Sequence, residues 1–345
     1  MRKYLPLFVL AFLASAALRA QDQHFSQFFA SPLTLNPALA GTFQGNYRLA
    51  LIYRDQDIFR TFSGAIDFRF PLSPVGKRYR DAFGVGVVFY NDKVPEVGYS
   101  NNQINVAGSF HKSLSRSNDQ FLSAGFQVGI SQRNFSYESL FFEDQFAGAA
   151  GYTNPTGEIL PENNFAVADF AAGINYAYSP ERRTGFYAGA SMYHITEPSI
   201  SLYFDPEEPE RNEQNNLLRK YTAYASLSIP AGETVRIQPR ALFYMQGPHA
   251  AINAGSNLRL LVGDISGTAL HLGGWVRPVR NADDSFSLDA VVGMVGLEFN
   301  NFLLGLSYDA KISPVATGRQ QRGAFEISIA YLGEYDSETI LCPKF

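Results

Sequence analysis

Histidine and cysteine are the side chains here best suited to covalent or metal chemistry. The five histidines are scattered along the chain: His24, His111, His194, His249 and His271. No two have the helical spacing of a metal site, and no Gly-x-Ser-x-Gly motif is present. A Ser–His pair built across neighbouring strands leaves no linear motif; His194 and His271 are the candidates for one in a lipid-hydrolysing barrel, and polar wall residues are the alternative. We predict no enzyme and no cofactor.

Two acidic stretches could bind a cation or a partner. The run Asp205-Pro206-Glu207-Glu208-Pro209-Glu210 clusters carboxylates. Its prolines, and the missing Asp-x-Asp-x-Asp-Gly order of a calcium loop, favour a solvated acidic loop with no metal.

The second stretch, 133–166, combines aromatic and acidic residues, among them Phe141, Phe142, Glu143, Asp144 and Phe146. Such a loop either grips a protein partner or packs into the mouth of the fold as a lid. We leave both interpretations open and treat these five residues as a candidate extracellular binding loop.

The elements that carry these stretches alternate in hydrophobicity with a period of two. In the last hairpin Phe302, Leu304, Leu306 and Tyr308 share one face, while small or polar residues take the other. Runs of about ten residues that end in aromatics recur along the chain, which is typical of strands with lipid on one side and a polar lumen on the other. The sequence predicts an all-β, antiparallel transmembrane β-barrel of about 14 strands over residues 46–333.

The strand count has an internal check in the connection lengths. The two longest connections, 133–166 and 196–218, follow strands five and seven, whereas even-numbered connections are short. Bacterial barrels keep long loops outside and short turns in the periplasm, so this parity supports the count. The weakest strand predictions are 234–245, where Pro239 lacks a ladder donor, and 251–261; the register of 185–195 is open.

The predicted lumen face carries mixed charge. Its members are Arg48, Arg54, Asp67, Arg69, Gln127, Asn175, His271, Asp289, Glu326 and Ser328. Cross-lumen ion pairs that stiffen the barrel are the simplest use of such residues, and a selective pore is the other.

Composition and the N-terminal residues indicate the cellular location. Residues 1–20 have a basic start, an apolar stretch and Ala20 before Gln21, which predicts a signal peptide cleaved after Ala20. No 18-residue apolar run follows, so helices are not expected to span a membrane. Charged residues make up only 17%, and the mean hydropathy of −0.11 suits strands with one polar face. The net charge of −4 argues against nucleic acid as a partner. The expected location is the outer membrane, in contact with its lipid.

The segment 21–45 breaks the strand pattern. It reads Gln-Asp-Gln-His-Phe-Ser-Gln-Phe and then Ser-Pro-Leu-Thr-Leu-Asn-Pro-Ala-Leu-Ala-Gly, and its prolines oppose a regular strand. We predict a short periplasmic arm ahead of the barrel. A C-terminal tail, 334–345, follows the last strand, and its lone Cys342 has no partner for an internal disulfide.

These motifs strongly resemble the PorP/SprF family, outer-membrane proteins of the type IX secretion and gliding machinery of Bacteroidetes. The ending Cys342-Pro343-Lys344-Phe345 resembles the family's Cys-Pro-Arg-Phe tail, with Lys in place of Arg. The resemblance covers essentially residues 21–345.

The resemblance implies a non-enzymatic barrel that assists export or surface anchoring of cargo proteins, including gliding adhesins. It also implies periplasmic partners among the ring and peptidoglycan-linked components of that system. We expect those partners to dock on the two chain ends, through His24, Phe25, Phe28, Asn36, Pro37, Gly41, Cys342, Pro343, Lys344 and Phe345. The alternative function is an outer-membrane channel for small or hydrophobic solutes, in which the N-terminal arm plugs the lumen.

Overall fold

The chain folds into a closed barrel of fourteen antiparallel strands. The computed structural model describes residues 24–72, 80–158, 160–180, 183–201, 215–262, 268–312 and 323–333. Each strand pairs with its neighbours in sequence, and β1 pairs with β14 to close the barrel. The strands are β1 (Tyr47–Gln56), β2 (Phe59–Pro71), β3 (Ala82–Val94), β4 (Tyr99–Ser113), β5 (Gln120–Phe135), β6 (Asn164–Tyr178), β7 (Gly185–Tyr193), β8 (Lys220–Ala231), β9 (Val235–Gln246), β10 (His249–Leu261), β11 (Ala269–Arg280), β12 (Phe286–Phe299), β13 (Phe302–Lys311) and β14 (Ala324–Gly333).

Helical structure in the described residues is limited to short turns. They are one α-helix, α1 (Pro32–Leu35), and 3₁₀ turns at Phe28–Ala30, Pro37–Leu39, Pro95–Val97, Tyr137–Ser139, Glu143–Gln145 and Gly148–Ala150. None of these could cross a bilayer.

The strands separate an apolar outer face from a small and polar inner face. The exposed apolar residues include Leu49, Leu51, Val87, Ile104, Val106, Ile130, Leu304 and Leu306. Their chain neighbours, such as Ala50, Ile52 and Ala107, are buried against the lumen. Because successive strand side chains point to opposite faces, this arrangement confirms the fourteen-strand barrel and its outward and inward faces. All of the predicted lumen residues except Asp289 are buried.

The strands predicted least securely are present, and their prolines interrupt pairing locally. The pairing of β8 with β9 is broken between Ser226–Arg240 and Ile229–Ile237, at the level of Pro239. Pro278 marks a register shift between β11 and β12. A proline has no N–H to donate to the ladder, so it is tolerated at such irregular positions.

The two ends of the barrel differ in their connections. The longest, 136–163 after β5 and 194–219 after β7, emerge at the same end, which we call the long-loop end. Tyr47 and Gly333, where the barrel wall starts and stops, lie at the opposite, short-turn end. The predicted parity is confirmed; in bacterial barrels the end with the short turns is generally the periplasmic one.

The periplasmic position predicted for the N-terminal arm is wrong for residues 24–43, whereas the alternative, an arm that plugs the lumen, describes where they lie. Residues 24–43, which we call the plug, do not lie ahead of the barrel but inside its lumen, where most of them are buried. The plug runs from Phe25, packed with Ile52 near the middle of β1, to Gly41, bonded to Asp67 near the short-turn end of β2. Its polar residues suggest exposure to water, but a polar lumen can bond them equally well.

Candidate functional site

The lumen and its plug form the candidate functional site. Each part of the plug, from the long-loop end to the short-turn end, is held by wall residues from different strands.

A buried charge cluster, which we call the latch, holds the start of the plug. The Glu326 carboxylate on β14 accepts the backbone N–H of Ser26 at 2.7 Å and that of Gln27 at 2.9 Å. The Asp309 carboxylate on β13 accepts the Ser26 hydroxyl at 2.7 Å. Charge-assisted bonds of this kind are stronger than neutral ones, especially when water is excluded. The first described turn of the plug is therefore fixed to the closing strands.

Two arginines neutralise the latch carboxylates. Arg54 on β1 pairs with Glu326 and, at 2.9 Å, with Asp309. Arg277 on β11 also pairs with Asp309 at 2.9 Å and donates to the Ser26 hydroxyl. The latch thus joins four strands and the plug through one set of buried charges, which are stable only when all partners are in place.

The uncharged side chain of Gln27 also forms hydrogen bonds with the wall beside the latch. Its side-chain N–H₂ donates to Ser307 at 3.0 Å, and its side-chain oxygen accepts from Ser328 at 2.8 Å. Both ends of this amide are satisfied, so a residue of different shape or polarity would leave a buried group unpaired.

Asn36 holds the middle of the plug. Its side-chain oxygen accepts the N–H of Ala38 at 2.8 Å and so caps the 3₁₀ turn at Pro37–Leu39. Its N–H₂ donates to the Ile174 carbonyl of β6 at 2.9 Å. The Ser191 hydroxyl and the Tyr193 hydroxyl also donate to plug carbonyls, those of Leu35 at 2.7 Å and Leu33 at 3.0 Å.

The end of the plug is held by a second ion pair. Arg48 and Asp67, opposite each other on β1 and β2, form a bond of 2.8 Å. Asp67 accepts the N–H of Gly41 at 2.8 Å, and Arg69 donates to the Gly41 carbonyl at 2.9 Å. Gly41 has a positive φ of 68°, which a side chain would strain.

Small wall residues make room for the plug. An added Cβ on Gly84 would overlap the Ala40 carbonyl, and one on Gly125 would overlap the backbone of Pro37 and Ala38. Gly173 stands in the same relation to the Asn36 amide. These glycines are required for close approach of two backbones rather than for turns.

Apolar side chains of the plug fill the remaining space. Phe28 packs with Leu35, Leu39 and the wall residues Leu242, Tyr244 and Ala251. Leu33 is fully buried among small wall residues of β1 to β4. The aromatic residues of this segment therefore gain burial by entering the lumen, which favours the plugged state.

The ion pairs do not cross the lumen as had been predicted. They join adjacent or nearby strands and the plug, as in Arg48–Asp67 and Arg54–Glu326, rather than crossing an open lumen. Arg277 was missed as a lumen residue, although it shares a face with His271. Asp309 was placed by the alternation on the inner face of the last hairpin, and the structure confirms that position.

The histidine candidates do not assemble a nucleophile. His271 contacts Glu298 at 3.3 Å and Asn257 at 2.9 Å, and His194 pairs with Asp169 at 2.9 Å. The serine contacts instead belong to His111, which lies 3.0 Å from Ser109 and 2.7 Å from Ser123 but is buried beneath the Ala40 carbonyl of the plug. A substrate has no access to that position, so its role is to hold the plug.

No group of three or more His, Cys, Asp or Glu side chains suited to a metal occurs in the part of the chain that the structure describes. The acidic run 205–210, the signal peptide 1–20 and the tail residues Cys342, Pro343, Lys344 and Phe345 lie outside the described residues.

The arm residues predicted to dock periplasmic partners all lie in the plug. Phe25, Phe28, Asn36, Pro37 and Gly41 are buried there. His24 is partly buried, and its ring lies 4.6 Å from that of Tyr244. As placed, these side chains face the wall rather than a partner in the periplasm.

The predicted extracellular loop carries an exposed aromatic cluster. Phe141 is 66% exposed and Phe146 is 55% exposed, and both rings lie within 5.4 Å of Tyr152. Glu143 and Asp144 are exposed beside them, and Phe142 is half-buried. The lid interpretation is therefore wrong for Phe141 and Phe146, which do not pack into the mouth.

A cavity of about 280 Å³ remains between the plug and the long-loop end. The plug contributes Phe25, Phe28 and Leu35 to its floor, and the wall contributes polar residues such as Gln127 and Thr222. The plug thus occupies the lumen without filling it completely.

Known structures share the barrel at very low sequence identity. A deltaS2 mutant of the TodX monoaromatic hydrocarbon channel has a TM-score of 0.51 at 8% identity, over 88% of this chain and 94% of that one. The CymD monoaromatic hydrocarbon channel has a TM-score of 0.50 at 10% identity, over 90% and 94%. CdiB from Acinetobacter baumannii has a TM-score of 0.44 at 9% identity, over 83% of this chain. At this identity the two channels show a shared fold alone.

This chain spans about three fifths of the CdiB chains it aligns with, 59% for Acinetobacter baumannii and 63% for Escherichia coli. Among curated proteins no sequence matches.

The sequence itself gives a more specific result. The family model described as type IX secretion system membrane protein PorP/SprF matches residues 17–331. That range contains the whole plug and nearly the whole barrel wall, so the motif residues and the lumen that receives them are matched together. The chain therefore belongs to the PorP/SprF family of type IX secretion system membrane proteins.

Proposed function

We propose that this chain is a non-enzymatic scaffold of the type IX secretion system, a barrel that stays closed while it assists export or surface anchoring of other proteins. The observation that carries the proposal is the plug: residues 24–43 bond to the wall from end to end. A channel would need these contacts to break, whereas a scaffold uses the rigidity that they provide.

The long-loop end is proposed to contact exported cargo, including gliding adhesins. Support comes from the exposed cluster of Phe141, Phe146 and Tyr152, with carboxylates beside it. Aromatic residues grouped and exposed on a surface loop are typical of a surface that a partner covers.

The test is co-purification of cargo from native outer membrane. We expect the double variant Phe141→Ser/Phe146→Ser to recover at least tenfold less cargo, because an aromatic anchor contributes about 2 kcal/mol or more. Val97→Ser is the matched control, since Val97 is exposed in another connection of the same end. Equal recovery with the double variant and the control would contradict cargo binding at this cluster.

Periplasmic ring and peptidoglycan-linked components are proposed to dock at the short-turn end, where β14 ends and the tail 334–345 begins. The plug residues enter this proposal only indirectly, by fixing the wall. Removing residues 342–345 is expected to reduce recovery of periplasmic partners while the plug and barrel assemble as before. Unchanged recovery would exclude docking by this tail.

One observation favours the alternative, an outer-membrane channel for small or hydrophobic solutes. The cavity above the plug combines apolar and polar walls, as small-molecule sites do. Planar-bilayer recordings separate the two functions. Steady conductance by the intact chain would favour the channel, and silence is the result expected for the scaffold.

A further inference from the structure

Two cations face each other on the outer surface of the barrel wall near the long-loop end. Arg60 on β2 lies opposite Lys93 on β3 in register. Both side chains are exposed on the outer face, whereas their chain neighbours Thr61 and Asp92 bond each other on the lumen side. Like charges placed directly opposite each other on adjacent strands repel and destabilise the pair. The two side chains therefore favour an anion between them.

The protein itself compensates this pair only weakly. The Asp55 carboxylate lies 3.9 Å from Arg60 Nε, and both side chains are exposed, by 43% and 58%. Asp55 also accepts the Tyr53 hydroxyl at 3.2 Å. Within the part of the chain that the structure describes, Lys93 has no ion-pair partner. An exposed contact of this length contributes little, so most of the positive charge of the pair is available to a ligand.

The pair lies at the border of the apolar outer band. Phe62, two residues further along β2, and Phe89, four residues back along β3, share the outer face, with ring centres 6.3 Å apart. A strand rises about 3.3 Å per residue, so the cations lie about 7–13 Å along the strands from these rings. The long-loop end of a bacterial barrel faces the outer leaflet, and aromatic residues mark the membrane interface. Arg60 and Lys93 are thus at the level of the headgroups of that leaflet.

Side-chain amides extend this polar surface over the neighbouring strands. Asn91 donates to Asn102 across β3 and β4 at 2.6 Å, and Gln132 donates to Asn164 across β5 and β6 at 2.9 Å. Asn102 lies opposite both Asn91 and Gln132 in register, so the four residues form one row, which we call the amide row. Because a side-chain amide both donates and accepts hydrogen bonds, the amide row suits the hydroxyl and amide groups of a sugar.

We propose that Arg60 and Lys93 bind the phosphate group of a glycolipid in the outer leaflet, with its sugar on the amide row. The guanidinium supplies a fork of donors and the ammonium a point charge, and both bind phosphate well. The phosphate replaces the repulsion between the two cations by two attractions. The acyl chains of the same lipid then lie against Phe62, Phe89 and the apolar wall. This site is on the outer face and is independent of the plug and of the scaffold function.

The test is native mass spectrometry of the full-length mature protein in detergent, with diphosphorylated lipid A and its dephosphorylated form as the two probes. We expect saturable binding of the phosphorylated probe and at least about tenfold weaker binding of the dephosphorylated one. The affinity of the phosphorylated probe is expected to fall as sodium chloride is added, because salt screens exposed charges.

The double variant Arg60→Gln/Lys93→Gln removes both charges at exposed positions, so the barrel is expected to assemble with native strand content. Its affinity for the phosphorylated probe is expected to fall to that for the dephosphorylated probe and to lose its salt dependence. The matched control is Lys112→Gln/Arg280→Gln. It also removes two cations, but these already pair with Asp81 and Asp284, so native binding is expected.

Inorganic phosphate, titrated against sodium chloride at equal ionic strength, separates a lipid ligand from a soluble one. We expect it to bind far more weakly than the lipid, because it has no acyl chains to contact the wall. Equal affinity for inorganic phosphate would overturn the lipid assignment. The proposal also fails if the native chain does not distinguish the two lipid probes, or if the double variant binds the phosphorylated probe as tightly as the control does.

Discussion

Single residues of the plug explain why the family motif has its particular letters. Ser26 and Gln27 present their backbone N–H groups and side chains to Glu326, Asp309, Ser307 and Ser328 at once. A substitution at any of these positions leaves a buried donor or acceptor unpaired, which costs more than the bond itself contributes. The residue types of the motif are therefore complementary to the lumen-wall residues that they bond.

Glu326 is the residue on which the latch most depends. A carboxamide at this position has only one acceptor oxygen, so it turns an N–H₂ towards one of the two plug amides and weakens the pair with Arg54. We expect Glu326→Gln to lower the free energy of unfolding by about 3 kcal/mol, since a buried pair loses a partner.

The measurement for Glu326→Gln is thermal unfolding in detergent combined with hydrogen exchange at the Ser26 and Gln27 amides. Faster exchange at those two amides, ahead of global unfolding, is the expected signature of a released plug. Glu143→Gln, an exposed loop carboxylate, is the control. Native protection in Glu326→Gln would show that the latch does not hold the plug.

The wall glycines give a second prediction at this scale. Gly84→Ala places a methyl group against the Ala40 carbonyl, so we expect a loss of about 1–3 kcal/mol of stability from overpacking. Gly293→Ala is the control, because nothing lies within 4 Å of its added Cβ. Urea titration of both variants in detergent measures the difference, and equal midpoints would mean that the plug is not held tightly at Gly84.

The strands and their two faces were the most predictable feature of this protein. Alternation with a period of two gives the outward and inward residues of nearly every strand because lipid and lumen differ so strongly in polarity. Strand ends were less predictable: the connection predicted over 133–166 is shorter in the structure, because β5 and β6 each extend three residues into it. Solvent-exposed strand ends carry no alternation signal. The prolines at 239 and 278 weaken the signal but interrupt the sheet only locally.

The plug was predicted to lie in the periplasm, but it lies in the lumen. Its prolines correctly excluded a strand, but Ser26, Gln27 and Asn36 suggested water. The partners that satisfy Ser26 and Gln27 lie about 300 residues away, so no local pattern could show them. The glycine and serine positions that receive the plug looked like ordinary small lumen residues for the same reason. They include Gly84, Gly125, Gly173, Ser191, Ser307 and Ser328.

The contact of the outer strand face with lipid can be tested directly. Val291 on β12 is exposed on the outer face, and Val97 is exposed in the β3–β4 connection. In lipid, Val291→Arg is expected to lower stability by about 2–4 kcal/mol, as arginine does near the middle of a bilayer. Val97→Arg is expected to change it by less than about 0.5 kcal/mol. Refolding into vesicles measures both, and similar small effects would place Val291 outside the membrane.

At the scale of the whole molecule, the plug and the barrel wall are separable in principle. The ladder of backbone bonds closes through β1 and β14 without any plug residue. A chain that lacks residues 24–43 is therefore expected to form the barrel but to lose the contacts that close its lumen. In planar bilayers it should conduct steadily, while the full chain is silent. A silent deletion variant with native strand content would show that something else blocks the lumen.

Locking the plug in place tests whether the protein must open in order to work. The Ser31 and Ser63 hydroxyls lie 3.1 Å apart, one on the plug and one on β2, so Ser31→Cys/Ser63→Cys should allow a disulfide between them. Cys342→Ser is made in the same chain to remove the single native thiol. Cells that carry the locked protein are expected to export and display cargo at the native level, because a scaffold works closed. The matched control is the same chain with Ser31→Cys alone. Loss of display in the locked chain, restored by reduction, would mean that the plug has to leave the lumen and would favour the channel.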